Sequence, residues 1–331
     1  MQYTKLGGTG LSVSRLCLGT MTFGSQCDEA VSFSILDKAL EGGITFIDTA
    51  DAYPFGGGLD DIGLTESIIG RWMKGKRQQI ILTSKGGAVR VGRNVPWDAS
   101  RKHLLDAVDA SLRRLGTDYL DLYQVHHDDP STPLEEIVEA LDTIVRTGKA
   151  RYVGVSNFLA YRLALALGHA EARKLYKVVS VQPRYSLLFR QIERELLPLA
   201  AEKRIGVMVY NPLAGGLLTG KYKSMSDPLA ENTRFSVISN RASYRDRYWH
   251  DKEFATVDAL RDAAAKAGQS LTALAVAWVL ANPVVTSAII GASRPEQLAD
   301  SLAGVEFSLD ALLKQQLDEL THEYRFGDAP R

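Results

Sequence analysis

Eight short apolar runs recur along this 331-residue chain, and each stops at a glycine or a polar residue. The first four are Leu16–Leu18 before Gly19 and Thr20, Thr45–Ile47 before Asp48, Ile80–Leu82 before Lys85, and Leu120–Val125 before His126. The others are Val153–Val155 before Ser156 and Asn157, Val178–Val181 before Gln182, Ile205–Val209 before Tyr210, and Ala288–Ile290 before Gly291. Short segments that are apolar on both faces and separated by helical stretches read as a parallel sheet buried on both sides. Eight of them predict an α/β fold of the closed (β/α)8 or TIM-barrel type, whose chemistry sits where the strands end. Those ends supply Asp48, Tyr53, Lys85 and His126, a set that reads as an active site.

Barrels of this kind reach such a length as one domain, and no linker or low-complexity stretch interrupts the rhythm, so residues 1–331 are expected to form a single domain. Lys+Arg and Asp+Glu balance at 39 each. Without a net positive field, a nucleic-acid backbone or an anionic membrane surface is not an expected partner. The N-terminus lacks a basic segment followed by an apolar one, and nowhere do about 18 apolar residues run together, which predicts a cytoplasmic protein. Only Cys17 and Cys27 occur, and Cys17 lies inside the first apolar run. A buried thiol behaves as a small hydrophobe, so no disulfide and no cysteine chemistry is expected.

Residues 2–15 place Gly7, Gly8 and Gly10 between short alternating segments, which predicts a hairpin closing the bottom of the barrel. The clearest helix is 133–147, where Leu134, Ile137, Val138, Leu141, Ile144 and Val145 form one apolar stripe. Thr132 followed by Glu135 predicts a capping box, with Pro133 in the first helical position and Gly148 at the end. Two stretches break the rhythm after strand ends. Residues 54–65 are glycine-rich, and residues 211–250 carry Phe235, Tyr244, Tyr248 and Trp249 before a helix from about Asp251. Long loops on an economical scaffold are usually functional. These aromatics either shape a substrate pocket or close the loop onto the barrel.

A tyrosine hydroxyl can protonate a developing alkoxide, but with a pKa near about 10 it is a slow donor unless a cation stands beside it. Lys85 supplies that charge, Asp48 can hold the ammonium by an ion pair, and His126 can orient a carbonyl oxygen or relay the proton. The four roles fit together only if the second, third and fourth strands are neighbours.

Asp48-Thr49-Ala50-Asp51-Ala52-Tyr53, Thr83-Ser84-Lys85 and Gln124-Val125-His126 resemble, in order and spacing, the catalytic segments of the aldo-keto reductase family. Gly154-Val155-Ser156-Asn157-Phe158, Val181-Gln182-Pro183, Tyr210-Asn211-Pro212-Leu213, Gly220-Lys221-Tyr222 and the stretch Ile290–Gln297 are similar to further segments of it. The resemblance covers essentially the whole chain. It implies reduction of an aldehyde or ketone with NADPH, with Tyr53 as proton donor, Lys85 and Asp48 tuning it, and His126 directing the carbonyl. It implies that Asp48, Ser156, Asn157 and Gln182 meet the nicotinamide end and that Tyr210 stacks on the ring. By the same resemblance, Gly19, Thr20, Met21 and Gly291 line the cofactor groove. Asn211, Pro212, Leu213, Ala214, Gly215 and Lys221 embrace the pyrophosphate, and Ser293, Arg294 and Gln297 meet the adenosine ribose and its 2′-phosphate. Asp300 and Ser301 stand where many relatives carry Glu-Asn toward the adenine. Loop 54–65 is longer than the usual glycine turn, and the long segment after Tyr210 places the chain nearer the branch of the potassium-channel β-subunits than that of aldose reductase. Two alternatives follow: oxidation of a sugar or secondary alcohol with NADP, or an NADP-sensing subunit that binds a partner with little turnover.

His126-His127-Asp128-Asp129 contains metal-ligand types, but adjacent strand residues point to opposite sides, so no metal is expected. Gly215–Lys221 has phosphate-loop spacing, yet Tyr222 stands where magnesium chemistry needs Ser or Thr. Tyr248 and Lys252 have the spacing of short-chain dehydrogenases, without the glycine-rich turn that accompanies it.

Overall fold

The computed structural model describes residues 1–55, 61–88, 97–226, 228–229, 233–236 and 241–326. Strands β1 (Tyr3–Lys5) and β2 (Ser12–Ser14) pair antiparallel. The chain then alternates: β3 (Leu16–Gly19), α1 (Glu29–Glu41), β4 (Phe46–Asp48), α2 (Leu64–Trp72), β5 (Ile81–Gly86), α3 (Arg101–Leu115), β6 (Leu120–Val125) and α4 (Leu134–Arg146). There follow β7 (Ala150–Ser156), α5 (Ala160–Arg173), β8 (Ser180–Gln182), α6 (Leu196–Lys203), β9 (Gly206–Tyr210), α7 (Arg241–Tyr248), α8 (Asp251–Lys266), α9 (Leu271–Leu280) and β10 (Val285–Gly291). Helices α10 (Leu298–Glu306) and α11 (Ala311–Leu320) complete the order. Strands β3 to β10 pair in parallel and close, β10 bonding to both β3 and β9. This is the (β/α)8 barrel that the eight apolar runs predict.

Closure works because the barrel strands are buried on both faces, down to β8, whose Ser180 and Gln182 are as buried as Val181 between them. One face packs outward on the helices; the other fills the barrel with Cys17, Phe46, Leu122 and Met208. Leu6 and Val13 of the hairpin join that inner cluster, so the hairpin is a plug at the bottom. Gly8 N–H donates to Arg204 O at 2.7 Å beside the start of β9. At Gly7, with φ +54°, a Cβ would come within 2.4 Å of Arg204 O, and only glycine can make this approach.

Helix α4 buries Leu134, Ile137, Val138, Leu141 and Ile144 against the sheet, as its stripe predicts. It ends in a Schellman turn: Gly148, at φ +78°, donates to Val145 O and Lys149 N–H to Ile144 O. The expected capping box is not formed. Pro133 is the N-cap, and the Thr132 hydroxyl donates to Asp129 Oδ2 at 2.6 Å instead. Asp129 competes successfully because its carboxylate also collects Ser131 and the Ala99 N–H, and this donor set holds its pKa down at about 2. Both cysteines are buried free thiols. No single helix among the described residues is long and apolar enough to cross a membrane.

The register sets the site. Gly291 lies beside Gly19, Gly19 beside Asp48, and Asp48 beside Thr83. Two residues beyond Thr83, on the same inward face, is Lys85.

Candidate active site

The barrel pairing makes β4, β5 and β6 consecutive, as the four proposed catalytic roles require. Beyond β4 the backbone stays hooked to β5, with Thr49 N–H donating to Thr83 O and Asp51 N–H to Lys85 O. A turn in which Tyr53 N–H bonds Ala50 O then brings the phenol back over the barrel mouth. His126 N–H donates to Gly86 O, which fixes the imidazole at the end of β6.

Lys85, 1% exposed, places its Nζ 2.6 Å from Asp48 Oδ2 and 2.7 Å from Thr49 O. The same ammonium stands 5.0 Å from the centroid of the Tyr53 ring. The rings of Tyr53 and His126 meet edge to face at 5.6 Å. Across the mouth, Gln182 Nε2 donates to Asp48 Oδ1 at 3.0 Å. The Asp48 carboxylate is thus clamped from both sides of the barrel.

Burial works to discharge Lys85, but the Asp48 carboxylate, with a smaller contribution from Tyr53, outweighs it and raises the ammonium above its ordinary range. Burial raises the Tyr53 phenol, and the Lys85 charge opposes this without cancelling it. The acidifying influence of the lysine expected from the sequence is therefore present, but the net direction is upward because the phenol is dry. Tyr53 keeps its proton at neutral pH, the state a donor needs. Burial, followed by the Lys85 field, pushes His126 well below its ordinary value, so the imidazole is neutral and its buried Nδ1 has no partner. Behind them, burial and the Glu66 carboxylate push Asp51 up to about 8.

These groups open on a cavity of about 1390 Å³, well beyond the roughly 300–1000 Å³ that a drug-sized ligand fills. Its walls include Gly19, Thr20, Met21, Asp48, Tyr53, His126, Ser156, Asn157, Gln182 and Tyr210. They continue through Asn211, Pro212, Leu213, Gly215, Lys221, Gly291, Ser293, Gln297 and Asp300. Of the remaining expected residues, Lys85 stands behind the wall, Ala214 and Ser301 are buried, and Arg294 is exposed beside Ser293. Thr20 Oγ1 donates to Asp48 O at 2.9 Å. Asn157, at φ +59°, donates to His126 O and Ser156 Oγ and accepts the Tyr210 hydroxyl at 2.8 Å, while Ser156 Oγ donates to Gln182 O. The segment after β9 is folded on itself, with Asn211 Oδ1 accepting Gly215 N–H at 2.6 Å and Asn211 Nδ2 donating to the Tyr248 hydroxyl. Ser293 N–H and Gln297 Oε1 bond at 2.8 Å.

A dinucleotide fits what is there. Gly215 and Gly216 hold φ of +70° and +100°, a backbone that L side chains rarely adopt, and a Cβ on Gly215 would come within 2.7 Å of the Tyr244 ring. None of Lys221, Arg234 and Arg247 pairs with a described carboxylate although all three line the cavity, so cationic lining stands ready for phosphates.

Several wall residues escape the sequence reading. Trp97 stacks on His127 at 4.9 Å and lies 5.2 Å from His126. Arg234 reaches from the long segment to Met21, donating to its sulfur at 3.6 Å. Lone residues on irregular loops carry no periodic signal that could have found them. The aromatics of 211–250 divide between the two readings: Phe235 and Trp249 pack together at 4.7 Å as loop core, whereas Tyr244 lines the cavity. Of the two loops, 56–60, 227, 230–232 and 237–240 lie outside the described residues. Asp128 is paired with Arg162, and among the described residues no group of three or more His, Cys, Asp or Glu is placed to hold a metal.

The model of the aldo/keto reductase family matches residues 15–322. The chain is 40% identical to an uncharacterized oxidoreductase, YrpG, of Bacillus subtilis, over 97% of this chain and 96% of that protein. It is 36% identical to a probable voltage-gated potassium channel subunit beta of Arabidopsis thaliana, over 92% of each. It is also 31% identical to versiconal hemiacetal acetate reductase of Aspergillus parasiticus, over 96% of each. With the barrel and the matched segments together, the chain belongs to the aldo/keto reductase family of oxidoreductases.

Proposed function

We propose that this protein reduces an aldehyde or ketone to an alcohol with NADPH, Tyr53 giving the proton to the carbonyl oxygen. The observation that carries the reading is the buried Lys85–Asp48 pair, 2.6 Å apart and set against the Tyr53 ring. A desolvated ammonium held on a carboxylate stabilises negative charge developing on the phenol as its proton leaves. Neutral His126, edge-on to Tyr53, offers a hydrogen bond that fixes the carbonyl oxygen over the hydroxyl. Bound NADPH supplies the hydride.

The chain's part is to hold the nicotinamide near Tyr53. Ser156, Asn157 and Gln182 form one connected polar ledge suited to a carboxamide, and Tyr210, tied to Asn157, offers its ring as a stacking surface. The Asn211–Gly215 turn and Lys221 suit a pyrophosphate; Ser293, Arg294 and Gln297, at the far end, suit a phosphorylated ribose. Phe55 and Trp97 beside His126 supply an apolar, water-excluding wall.

Loss of nicotinamide absorbance with a panel of aldehydes and ketones, run in parallel with NADPH and NADH, tests class and cofactor together. Turnover with NADPH in preference to NADH supports the reading; none on any carbonyl, with sugars or alcohols oxidised by NADP instead, reverses the physiological direction. The potassium channel subunit name of one relative favours a second reading, an NADP-responsive binding partner. Negligible turnover in both directions together with stoichiometric capture of a partner would favour it.

A further inference from the structure

Arg184 follows Gln182 by two residues at the mouth of the barrel, where its backbone bridges to Tyr210. Its side chain lines the cavity yet is only 7% exposed. The guanidinium carbon sits over the Phe189 ring, 3.6 Å from its centroid, and 5.9 Å from the centroid of the Tyr248 ring. Among the described residues it makes no ion pair, and its buried Nη1 has no hydrogen-bond partner. Arginine cannot discharge itself at any ordinary pH, so a dry, unpaired guanidinium is an expensive thing for a fold to keep.

Its surroundings explain what the cost could serve. Arg247 lines the same cavity, and both guanidiniums act on the Tyr210 phenol, pulling it down against the burial that raises it, while Tyr53 acts on the same phenol. Gln191, two residues beyond Phe189, presents a buried Nε2 that likewise lacks a partner and lines the cavity. The ring of Phe189 covers the guanidinium, and the partnerless Nη1 N–H is a donor of the kind that a carboxylate or phosphate oxygen accepts from. Two partnerless N–H donors on residues lining one cavity, with no acceptor among the described residues, describe a receptor for an anion.

We propose that Arg184, supported by Arg247 and Gln191, binds a carboxylate or phosphate carried by the substrate, so that the preferred carbonyl compounds are anionic. This rests on the reductase reading above and narrows it to a substrate class. Arg234 is separate from this group, since it reaches Met21 beyond β3 and the Gly291 end of β10.

The test compares the full-length wild type with Arg184→Met on matched substrates: 4-carboxybenzaldehyde against methyl 4-formylbenzoate, and glyceraldehyde 3-phosphate against glyceraldehyde. The wild type is expected to favour the charged member of at least one pair by about tenfold or more in kcat/KM, a charged hydrogen bond's worth, and the pair favoured tells carboxylate from phosphate. Arg184→Met should erase that preference mainly through KM, leave the Kd for NADPH within about twofold, and melt no lower than the wild type, because methionine removes an unpaired buried charge. Calorimetric titration of benzoate and phenyl phosphate into the NADP-loaded protein reads the same site without turnover. Binding of either anion that disappears in Arg184→Met supports the receptor even if no carbonyl is reduced, an outcome that would sink the reductase reading alone. Equal handling of charged and neutral substrates with no anion binding, or a weakened NADPH Kd in Arg184→Met with substrate preference intact, overturns the proposal.

Discussion

Gln182 reaches across the barrel to Asp48, its Nε2 donating to Oδ1 at 3.0 Å, while the other oxygen of that carboxylate holds Lys85 at 2.6 Å. Strands β8 and β4 stand on opposite sides of the closed sheet, so one carboxylate links the proposed nicotinamide ledge to the proposed proton donor. Gln182→Leu leaves a buried acceptor atom unsatisfied, at a cost of about 1–3 kcal/mol. It should lower the melting temperature and raise the Kd for NADPH measured by fluorescence titration. A variant unchanged in both would show that the link is idle.

Lys85→Met should reduce turnover by about 10²-fold or more, within the range that assisted proton transfer supplies. The sign of the pH effect follows from the site. Lys85 lowers the Tyr53 pKa, so its removal moves the alkaline limb of the kcat profile to higher pH. It also strands Asp48 as an unpaired buried charge, worth about 3–5 kcal/mol, so the variant should melt earlier. Kinetics taken well below its melting temperature separate the two effects; an unmoved alkaline limb would contradict the role given to the lysine.

Asp51 makes the protein less stable as pH rises. Burial first, and then Glu66, push its carboxyl up to about 8, above the unfolded value. Its contribution is fully present below the unfolded carboxylate pKa and is lost as pH climbs through about 8, where the native state must accept a dry charge. Asp51→Asn should therefore gain on the wild type in thermal melts as pH rises from about 5 to about 8, and hold that larger advantage near about pH 9. Parallel melting curves at both pH values would place the titration elsewhere.

The strand ends were legible in the sequence because a barrel strand buries both faces, and an apolar run that stops at a polar residue leaves few other interpretations. Asp48, Lys85 and Gln182 fall at such stops and converge. Local rules that compete with a stronger tertiary partner did less well. Thr132 has the pattern of a cap, but the Asp129 carboxylate, three residues earlier, takes its hydroxyl. Helix α7, Arg241–Tyr248, was not anticipated, since Arg-Ala-Ser-Tyr-Arg-Asp-Arg-Tyr has no apolar stripe to announce it. Arg184 and Trp97 reach the cavity from irregular backbone, where no period says which way a side chain turns, and Arg247 reaches it from α7.

Preference for NADPH over NADH is expected to come from the far end of the cavity. Arg294 is exposed beside Ser293, so its charge is screened, and Arg294→Ala should raise KM for NADPH by about threefold to tenfold while sparing NADH. Steady-state KM values for both cofactors read this directly. A variant that loses both cofactors equally would move the 2′-phosphate contact to Lys221 or another cation.

The central claim is that the Tyr53 hydroxyl delivers the proton. Its most direct measurement sets NADPH-dependent turnover of Tyr53→Phe beside the same variant's NADPH Kd. Turnover should fall by about 10²-fold or more with the Kd nearly unchanged, because phenylalanine keeps the ring against Lys85 and His126 and removes only the donor. Full-rate reduction by Tyr53→Phe would contradict the account.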